Sequence, residues 1–326
     1  MTTSTKVCVV SGAAGFVGSQ LSDRLLAMGH RVVGVDDLSL GRLENLRAAA
    51  AHPGFRFLEA DLNDIATCEA FLRVALADVS ADAVAFWHLA ANSDIAAGVE
   101  NPDVDLRSTF LTTFSALKLC RAIGIQDFLF SSTSAIYGDL GSSIAEDDGP
   151  LLPISNYGAM KLASEATISA AAEAYLRRAW IFRFPNVVGP RATHGVIFDF
   201  LHKLKRDSSR LIVLGNGTQQ KPYLHVEELI DAMCFIWQHA DGRVNFFNIA
   251  PDGTSTSVRT IAEVVTRAVA PGARIEYGEG AKGWVGDVPI FGYDTAKLRA
   301  LGWTPQLASD GAIERAVREI AAELWR

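Results

Sequence analysis

Val7-Cys8-Val9-Val10-Ser11-Gly12-Ala13-Ala14-Gly15-Phe16-Val17-Gly18, continued through Leu21, Leu25 and Met28 to Gly29 and Arg31-Val32-Val33-Gly34-Val35-Asp36, is the stretch that decides the fold. Its first four residues are an apolar run, too short for a core helix and rich in β-branched side chains, which reads as a buried strand. Leu21, Leu25 and Met28 then recur at helical spacing, and Gly29 stands where a left-handed cap ends a helix. A second strand starts at Arg31. Strand, glycine turn, helix and strand make a βαβ unit. Glycines in such a turn permit the tight bend, let backbone N–H groups reach a pyrophosphate, and bring helix close to strand. Asp36 ends the second strand, where an acidic side chain accepts hydrogen bonds from an adenosine ribose and repels a 2′-phosphate. The turn is therefore expected to hold a dinucleotide, NAD rather than NADP. The spacing GxxGxxG alone would report only a turn; the strand before it, the helix after it and the acid beyond are what add the ligand.

The chain of 326 residues has room for one large domain or a large and a small one. Its apolar fraction of 49% and charged fraction of 21% are those of an ordinary globular protein. A net charge of −7 without a basic stripe argues against a nucleic-acid partner held through phosphates. No apolar run approaches the ~20 residues that span a bilayer, so no membrane association is expected. Met1 to Thr5 leads straight into the first strand, which leaves no signal peptide and points to the cytoplasm. Cys8, Cys68, Cys120 and Cys234 lie scattered among apolar neighbours without metal-ligand spacing. They read as small core residues of a reducing compartment, with no metal site.

Beyond Asp36-Asp37-Leu38-Ser39 the alternation continues, with a short helix over 41–51 and a third strand over 55–60 ending at Asp61-Leu62. Asp61 could hold an adenine amino group while Leu62 packs on the ring; as plain structure it would cap the next helix, 63–75. The fourth strand, 83–91, leaves through Leu89-Ala90-Ala91, small or apolar residues suited to a backbone passing under a cofactor. His88 on that strand reads as a core histidine rather than a catalyst. A long helix over 105–122 and a fifth strand over 126–132 follow. Strands alternating with helices at this period imply a parallel sheet covered on both faces, a Rossmann-type doubly wound α/β fold.

The fifth strand runs into Ser132-Thr133, hydroxyls at a carboxyl end where such sheets bind ligands. Tyr157 and Lys161, four apart, share one face of a helix continuing to about Arg177. An ammonium beside a phenol favours the phenolate, and a tyrosine so tuned serves as a general base. A sixth strand covers 179–184, and there the rhythm breaks. A helix over 193–207 with Ile197, Leu201 and Leu204 on one side, a strand over 211–214 and an extended segment over 219–226 follow. The helix 226–239 and the strand 245–250 are expected to return to the first domain. Segments 256–269, 275–277, 284–293 and 309–325 complete a smaller lobe. The expected division is a dinucleotide-binding domain of residues 1–185, rejoined by 224–250, and a substrate lobe within 186–326.

Gly12-Ala-Ala-Gly15-Phe-Val-Gly18, Asp36, Leu89-Ala90-Ala91, Ser132-Thr133 and Tyr157-xxx-Lys161 together resemble the extended short-chain dehydrogenase/reductase family. Arg183 to Pro190 and Gly215 to Val226 resemble its nucleotide-sugar epimerase/dehydratase branch, and the similarity runs from Lys6 to about Trp303. The resemblance implies 4-epimerisation of a nucleotide-diphosphate sugar, most simply a UDP-sugar, with NAD retained. Tyr157 would take the proton of the sugar 4-hydroxyl, Thr133 would bond that hydroxyl and relay the proton, and Lys161 would bind the nicotinamide ribose. Gly12, Gly15, Phe16, Val17, Gly18, Asp36, Asp37, Leu38, Ser39, Asp61, Leu62, Leu89, Ala90, Ala91, Ser108, Ser131 and Pro185 would line the cofactor alongside Tyr157 and Lys161. Ser93, Ser132, Thr133, Asn186, Val196, Lys221 and Tyr223 would face the substrate. Related 4,6-dehydratases carry Thr-Asp-Glu where this chain has Thr133-Ser134-Ala135, which lacks the acids for loss of water. The chain departs from the family pattern at Ser108-Thr109, where an Asn is common, and at Lys221 and Trp284, where arginines are usual. The small residues Ala163, Ala166, Ala170 and Ala174 form a stripe that would admit a second helix, and the resemblance implies a homodimer.

Overall fold

The computed structural model describes residues 5–141, 143–251, 253, 255–280 and 292–325. The opening strand β1 (Val7–Ser11) is buried throughout and pairs in parallel with β2 (Arg31–Asp36) on one side and β4 (Val84–His88) on the other. With β3 (Phe55–Glu59), β5 (Asp127–Thr133), β6 (Arg178–Phe184) and β11 (Val244–Asn248) these make a seven-stranded sheet ordered β11-β6-β5-β4-β1-β2-β3. Chain order reverses between β1 and β4, the place where doubly wound sheets open a crevice beyond their carboxyl ends.

Helices pack on this sheet: α1 (Phe16–Ala27), the short α2 (Arg47–Ala50), α3 (Ile65–Ala75), α6 (Thr112–Ile123) and α7 (Asn156–Ala174). Their inward residues, among them Leu21, Leu72, Leu119 and Ile168, are fully enclosed. Asp127, at the start of β5, is buried and neutralised by Lys6 at 3.1 Å and Arg177 at 2.8 Å. The Rossmann-type α/β class read from the sequence is the one observed.

Two details differ from the sequence reading. The cap of α3 is Asp64, whose side chain accepts from Thr67 N, while Asp61 bonds only Asn63 N nearby. The periodicity over 105–122 concealed a broken element. After α4 (Ile95–Glu100), it opens on the last residue of α5 (Pro102–Asp105), passes through a π-helical turn Leu106–Leu111, and only then becomes α6.

The chain divides into two compact units. The first holds residues up to Ile136, Ser155–Arg183 and Trp237–Phe247; the second holds Tyr137–Ile154, Phe184–Ile236 and Asn248 onward. Compared with the division expected from sequence, Tyr137–Ile154 goes with the second unit, and of 224–250 only the end of α9 (Val226–His239) and most of β11 go with the first. Trp237 explains the return. Its ring meets Trp87 edge-on at 5.3 Å and anchors the end of α9 beneath β4.

The second unit has its own core. α8 (Val196–Arg206) contributes Ile197, Phe200, Leu201 and Leu204, packed with Leu211 and Val213 of β8 (Arg210–Val213) and with Ile261 and Val265 of α10 (Val258–Val269). α12 (Ser309–Leu324) closes it with Ile313 and Val317, and α11 (Ala296–Leu301) precedes that helix. Short pairs complete the unit: β7 (Asn186–Val188) with β10 (Tyr223–His225), β9 (Gln220–Lys221) with β12 (Thr256–Ser257), and β8 with β13 (Arg274–Tyr277). The expected segment 284–293, with Trp284, lies almost wholly outside the described residues.

Candidate dinucleotide and catalytic site

Gly12, with φ at +71°, turns the chain out of β1. A Cβ on it would stand 2.8 Å from the Ala90 nitrogen, and one on Gly18 would stand 2.0 Å from the Gly12 carbonyl oxygen. Glycine is required at both places because backbone occupies the space. Leu89-Ala90-Ala91 thus passes directly under the turn, and Ser11 Oγ accepts from the N–H groups of Leu89 and Ala90 at 3.3 and 3.4 Å. Gly15 is the N-cap of α1 with no side chain to satisfy the first N–H groups, and the first turn, from Phe16 and Val17, carries no acid. Such a helix start presents its N–H groups and positive dipole end to an anion.

Asp36 Oδ2 accepts from Ala14 N at 2.9 Å and Oδ1 from Leu38 N at 2.8 Å. Burial raises its carboxyl above the ordinary value, while the Leu38 and Ala14 N–H groups draw it back. Each oxygen keeps a further lone pair for a ribose hydroxyl. Leu38 takes a left-handed φ of 61°, and Asp37 binds Ser39 within the same turn. Leu62 is buried and Asp61 exposed. Turn, helix start and acid are therefore disposed as a dinucleotide requires.

At the carboxyl end of β5, the Thr133 side chain stands close enough to the Tyr157 phenol to draw its pKa down. Ser155 caps α7 by accepting from Gly158 N, so Tyr157 lies in its first turn and Lys161 one turn on. Lys161 is 2% exposed, donates to the Ser131 carbonyl at 2.6 Å, and has its ammonium 4.7 Å from the Phe130 ring centre. Burial lowers its pKa to about 7, against the pull of Glu165 and Asp105. Burial likewise pushes the Tyr157 phenol up, with Thr133 pulling down and Asp105 pushing further up. The expected bias of Tyr157 toward phenolate by Lys161 is therefore set against a cost of burial at each group. Both groups are desolvated, and desolvation opposes charge on each.

Ser132, expected to face the substrate, is 1% exposed and donates instead to Glu165. Glu165 is locked to Arg183 at 2.6 Å, both nearly buried. Sequence reading missed this pair, whose members are eighteen positions apart and meet only when α7 lies against β6. Ser131 Oγ donates to the His88 carbonyl at 3.3 Å. His88 itself is buried between Ser11 Oγ at 2.7 Å and Thr113 Oγ1 at 3.0 Å, and burial holds its imidazole well below the ordinary value. Ser108, expected at the cofactor, is exposed on the π-helical turn; the extra residue of that turn rotates Thr109 inward in its place, where its hydroxyl accepts from Asn92 N at 3.2 Å. Ser93 is exposed.

In the second unit Asn186 is exposed and in register with Tyr223, which is buried in that unit's core. Val196 starts α8, Lys221 is in register with Thr256, and Pro185 is buried.

A glycine turn at the switch point of a parallel sheet, with a hydroxyl, phenol and lysine at the end of β5, defines a dinucleotide-dependent oxidoreductase-type enzyme. Residues 8–250 match the NAD dependent epimerase/dehydratase family, and the chain belongs to it; its cofactor is NAD. It is 32% identical over 315 residues to a UDP-glucose 4-epimerase of Mycolicibacterium smegmatis, covering 95% of this chain and 96% of that one. Among solved structures it resembles a UDP-galactose 4-epimerase at TM-score 0.83 and 33% identity, covering 98% and 100% of the two chains. It also resembles a Thermus thermophilus UDP-glucose 4-epimerase in complex with NAD, at TM-score 0.80 and 26% identity over 96% and 98%.

Proposed function

We propose that this protein is an NAD-dependent nucleotide-sugar 4-epimerase acting on a UDP-sugar. The observation that carries the reading is the juxtaposition of Thr133 and the Tyr157 phenol with Lys161 buried one helical turn on, in a loop where Ser134 and Ala135 replace acids. Similarity to enzymes named for 4-epimerisation supports it.

NAD, held by the N–H groups after Gly15 and by Asp36, would supply a reversible hydride acceptor for C4 of the sugar. Tyr157 takes the 4-hydroxyl proton as that hydride leaves. Its raised phenol makes it a poor base alone, so positive charge nearby is what brings it into working range. Thr133 holds the reacting oxygen and passes the proton on. The resulting 4-keto sugar turns over and is reduced, and Tyr157 returns the proton. Lys161 fixes the cofactor ribose, and the N–H groups after Gly15 take the pyrophosphate. Asn186 and Lys221 serve the nucleotide diphosphate of the substrate and Val196 lines the substrate, while Tyr223 packs in the core beneath them.

Incubation with UDP-glucose, UDP-glucuronate and UDP-N-acetylglucosamine, with separation of C4 epimers, tests the reading. Interconversion of one of them is expected. Loss of water from the sugar, or no turnover of any with NAD bound, would sink it.

The enzyme acts as a cytoplasmic homodimer in this proposal. Ala166, Ala170 and Ala174 are exposed on α7 rather than turned to the sheet, as are Leu106, Leu111 and Phe114 beyond α5. A monomeric mass at micromolar concentration would refute the dimer. The four cysteines are buried and none forms a disulfide, as a reducing compartment allows, and no helix among the described residues is long and apolar enough to cross a membrane.

A further inference from the structure

Near Tyr157 lies a buried carboxyl group that the reaction above does not use. Asp105 ends α5 and leads into the π-helical turn, and its side chain is fully enclosed. Oδ1 accepts from Asn92 Nδ2 at 2.8 Å, while Oδ2 has no hydrogen-bond partner among the described residues. Gly98 makes the room for Oδ2, since a Cβ there would stand 1.8 Å from it. Asn92 is held in turn: Nδ2 also donates to the Asp94 carbonyl, Oδ1 accepts from Asp94 N, and its own N–H reaches Thr109. The Gly98 carbonyl accepts from Asn156 Nδ2 at 2.9 Å, and Asn156 immediately precedes Tyr157. α7 packs against α4, α5 and the π-helical turn. Carboxyl, glycine and the residue before Tyr157 are thus joined by one short series of contacts.

A carboxylate buried with a single neutral donor is costly, and such groups mark places where charge is kept for a purpose. Burial raises the Asp105 carboxyl above its ordinary value; Asn92 draws it back, Asp94 pushes it up, and Lys161 draws it down. The charged and titratable groups that act on it or feel it are Asp94 at the N-cap of α4 and Lys161 and Tyr157 on α7.

We propose that Asp105 is a positioning residue for Tyr157: fixed by Asn92 and given room by Gly98, it holds a buried negative charge where α7 begins. It rests on the reading of Tyr157 as the base. Asp105 therefore sets the pH at which Tyr157 works. Removing a like charge favours the phenolate, so loss of the carboxylate moves the working range to lower pH.

Asp105→Asn and Asp105→Ser, purified with NAD bound, test this by two readouts. The first is the pH profile of kcat/KM for the UDP-sugar that turns over. Its acid limb is expected to move down by about one pH unit, a roughly tenfold gain at a fixed pH on that limb. The second is the near-ultraviolet tyrosinate band, differenced against Tyr157→Phe, which should move the same way. Two neutral side chains of different shape should give the same displacement. Folded variants whose limb and tyrosinate titration stay in place, or variants that differ only in stability, would overturn the inference. The tyrosinate titration needs no substrate, so it judges Asp105 even where the proposed reaction fails.

Discussion

Helix α7 carries two charged side chains into the interior one turn apart, and the molecule treats them oppositely. Glu165 enters with a partner: Arg183 binds it at 2.6 Å and at 3.0 Å, Ser132 donates to it, and the Arg183 guanidinium also lies 5.1 Å from the Phe246 ring centre. Lys161 enters with a carbonyl oxygen and an aromatic face. A matched buried pair is frozen in its charged state, because changing either member strands the other. A buried charge lacking its counter-ion can gain or lose a proton at modest cost. The lower half of α7 thus fastens helix to sheet, and the upper half, with Tyr157 and Thr133, is poised to move protons.

The largest effect expected from this contrast is at Tyr157. Removing its hydroxyl in Tyr157→Phe leaves the ring and the packing of α7, so NAD should stay bound while kcat falls about a thousandfold or more, within the range of general acid–base catalysis. Steady-state turnover of the UDP-sugar beside retained cofactor absorbance checks it. A variant that keeps most of its rate would remove the phenol from the chemistry.

Arg183→Met probes the other half. It leaves Glu165 buried without its cation, and breaking such a pair costs about 3–5 kcal/mol. The denaturant midpoint should fall accordingly. The two variants should separate cleanly, one losing rate and the other stability. Equal loss of stability in both would mean that α7 is one undivided structural element.

Lys161 sharpens the same division through pH. Its pKa is lowered from 10.5 to about 7 by burial. Between those values the unfolded chain binds a proton that the folded chain does not, so stability rises with pH across the interval. Below about pH 7 both states are protonated, and the fold carries the full cost of the buried charge. Lys161→Met has no such group, so its stability should climb less from pH 7 to 10 than that of the unaltered protein. Parallel curves, from thermal midpoints of the two proteins across that range, would show that Lys161 keeps its proton.

What sequence could reveal follows from where each constraint lies. Gly18 is dictated by the Gly12 backbone within one βαβ unit and Gly12 by its positive φ and the Leu89-Ala90 backbone, and a missing side chain is visible in the letters. The fold class followed from that unit and the regular alternation after it. The α9 segment, 226–239, was legible to the residue because its pattern is uniform. The Glu165–Arg183 pair left no trace, since both letters are ordinary surface residues until β6 docks under α7. Asp105 was hidden differently. A 3.6-residue period laid over 105–122 assigns it to a regular helix, but Asn101 and Pro102 start the segment earlier and the π-helical turn adds a residue. That added residue decides that Thr109 faces in and Ser108 faces out. A break in helical period beside a motif is a signal a sequence reader can look for.

The smallest and most discriminating pair of changes lies on β5. Ser132 and Thr133 are adjacent hydroxyls, one bonded to the structural carboxylate and the other close to the phenol. Ser132→Ala removes one donor from a buried carboxylate that keeps its arginine, so it should cost about 1–3 kcal/mol of stability. Thr133→Ala removes a partner of the phenol near the surface of the site and should lower kcat about tenfold or more, with a smaller loss of stability. Denaturation curves and turnover on the same two preparations compare them directly. The division of α7 requires the two rankings to cross: Ser132→Ala worse in stability, Thr133→Ala worse in rate. If Ser132→Ala proves worse on both scales, the Glu165–Arg183 pair reaches into the chemistry through Ser132, and the boundary between the fastening and the proton-moving halves of the helix lies lower than Lys161.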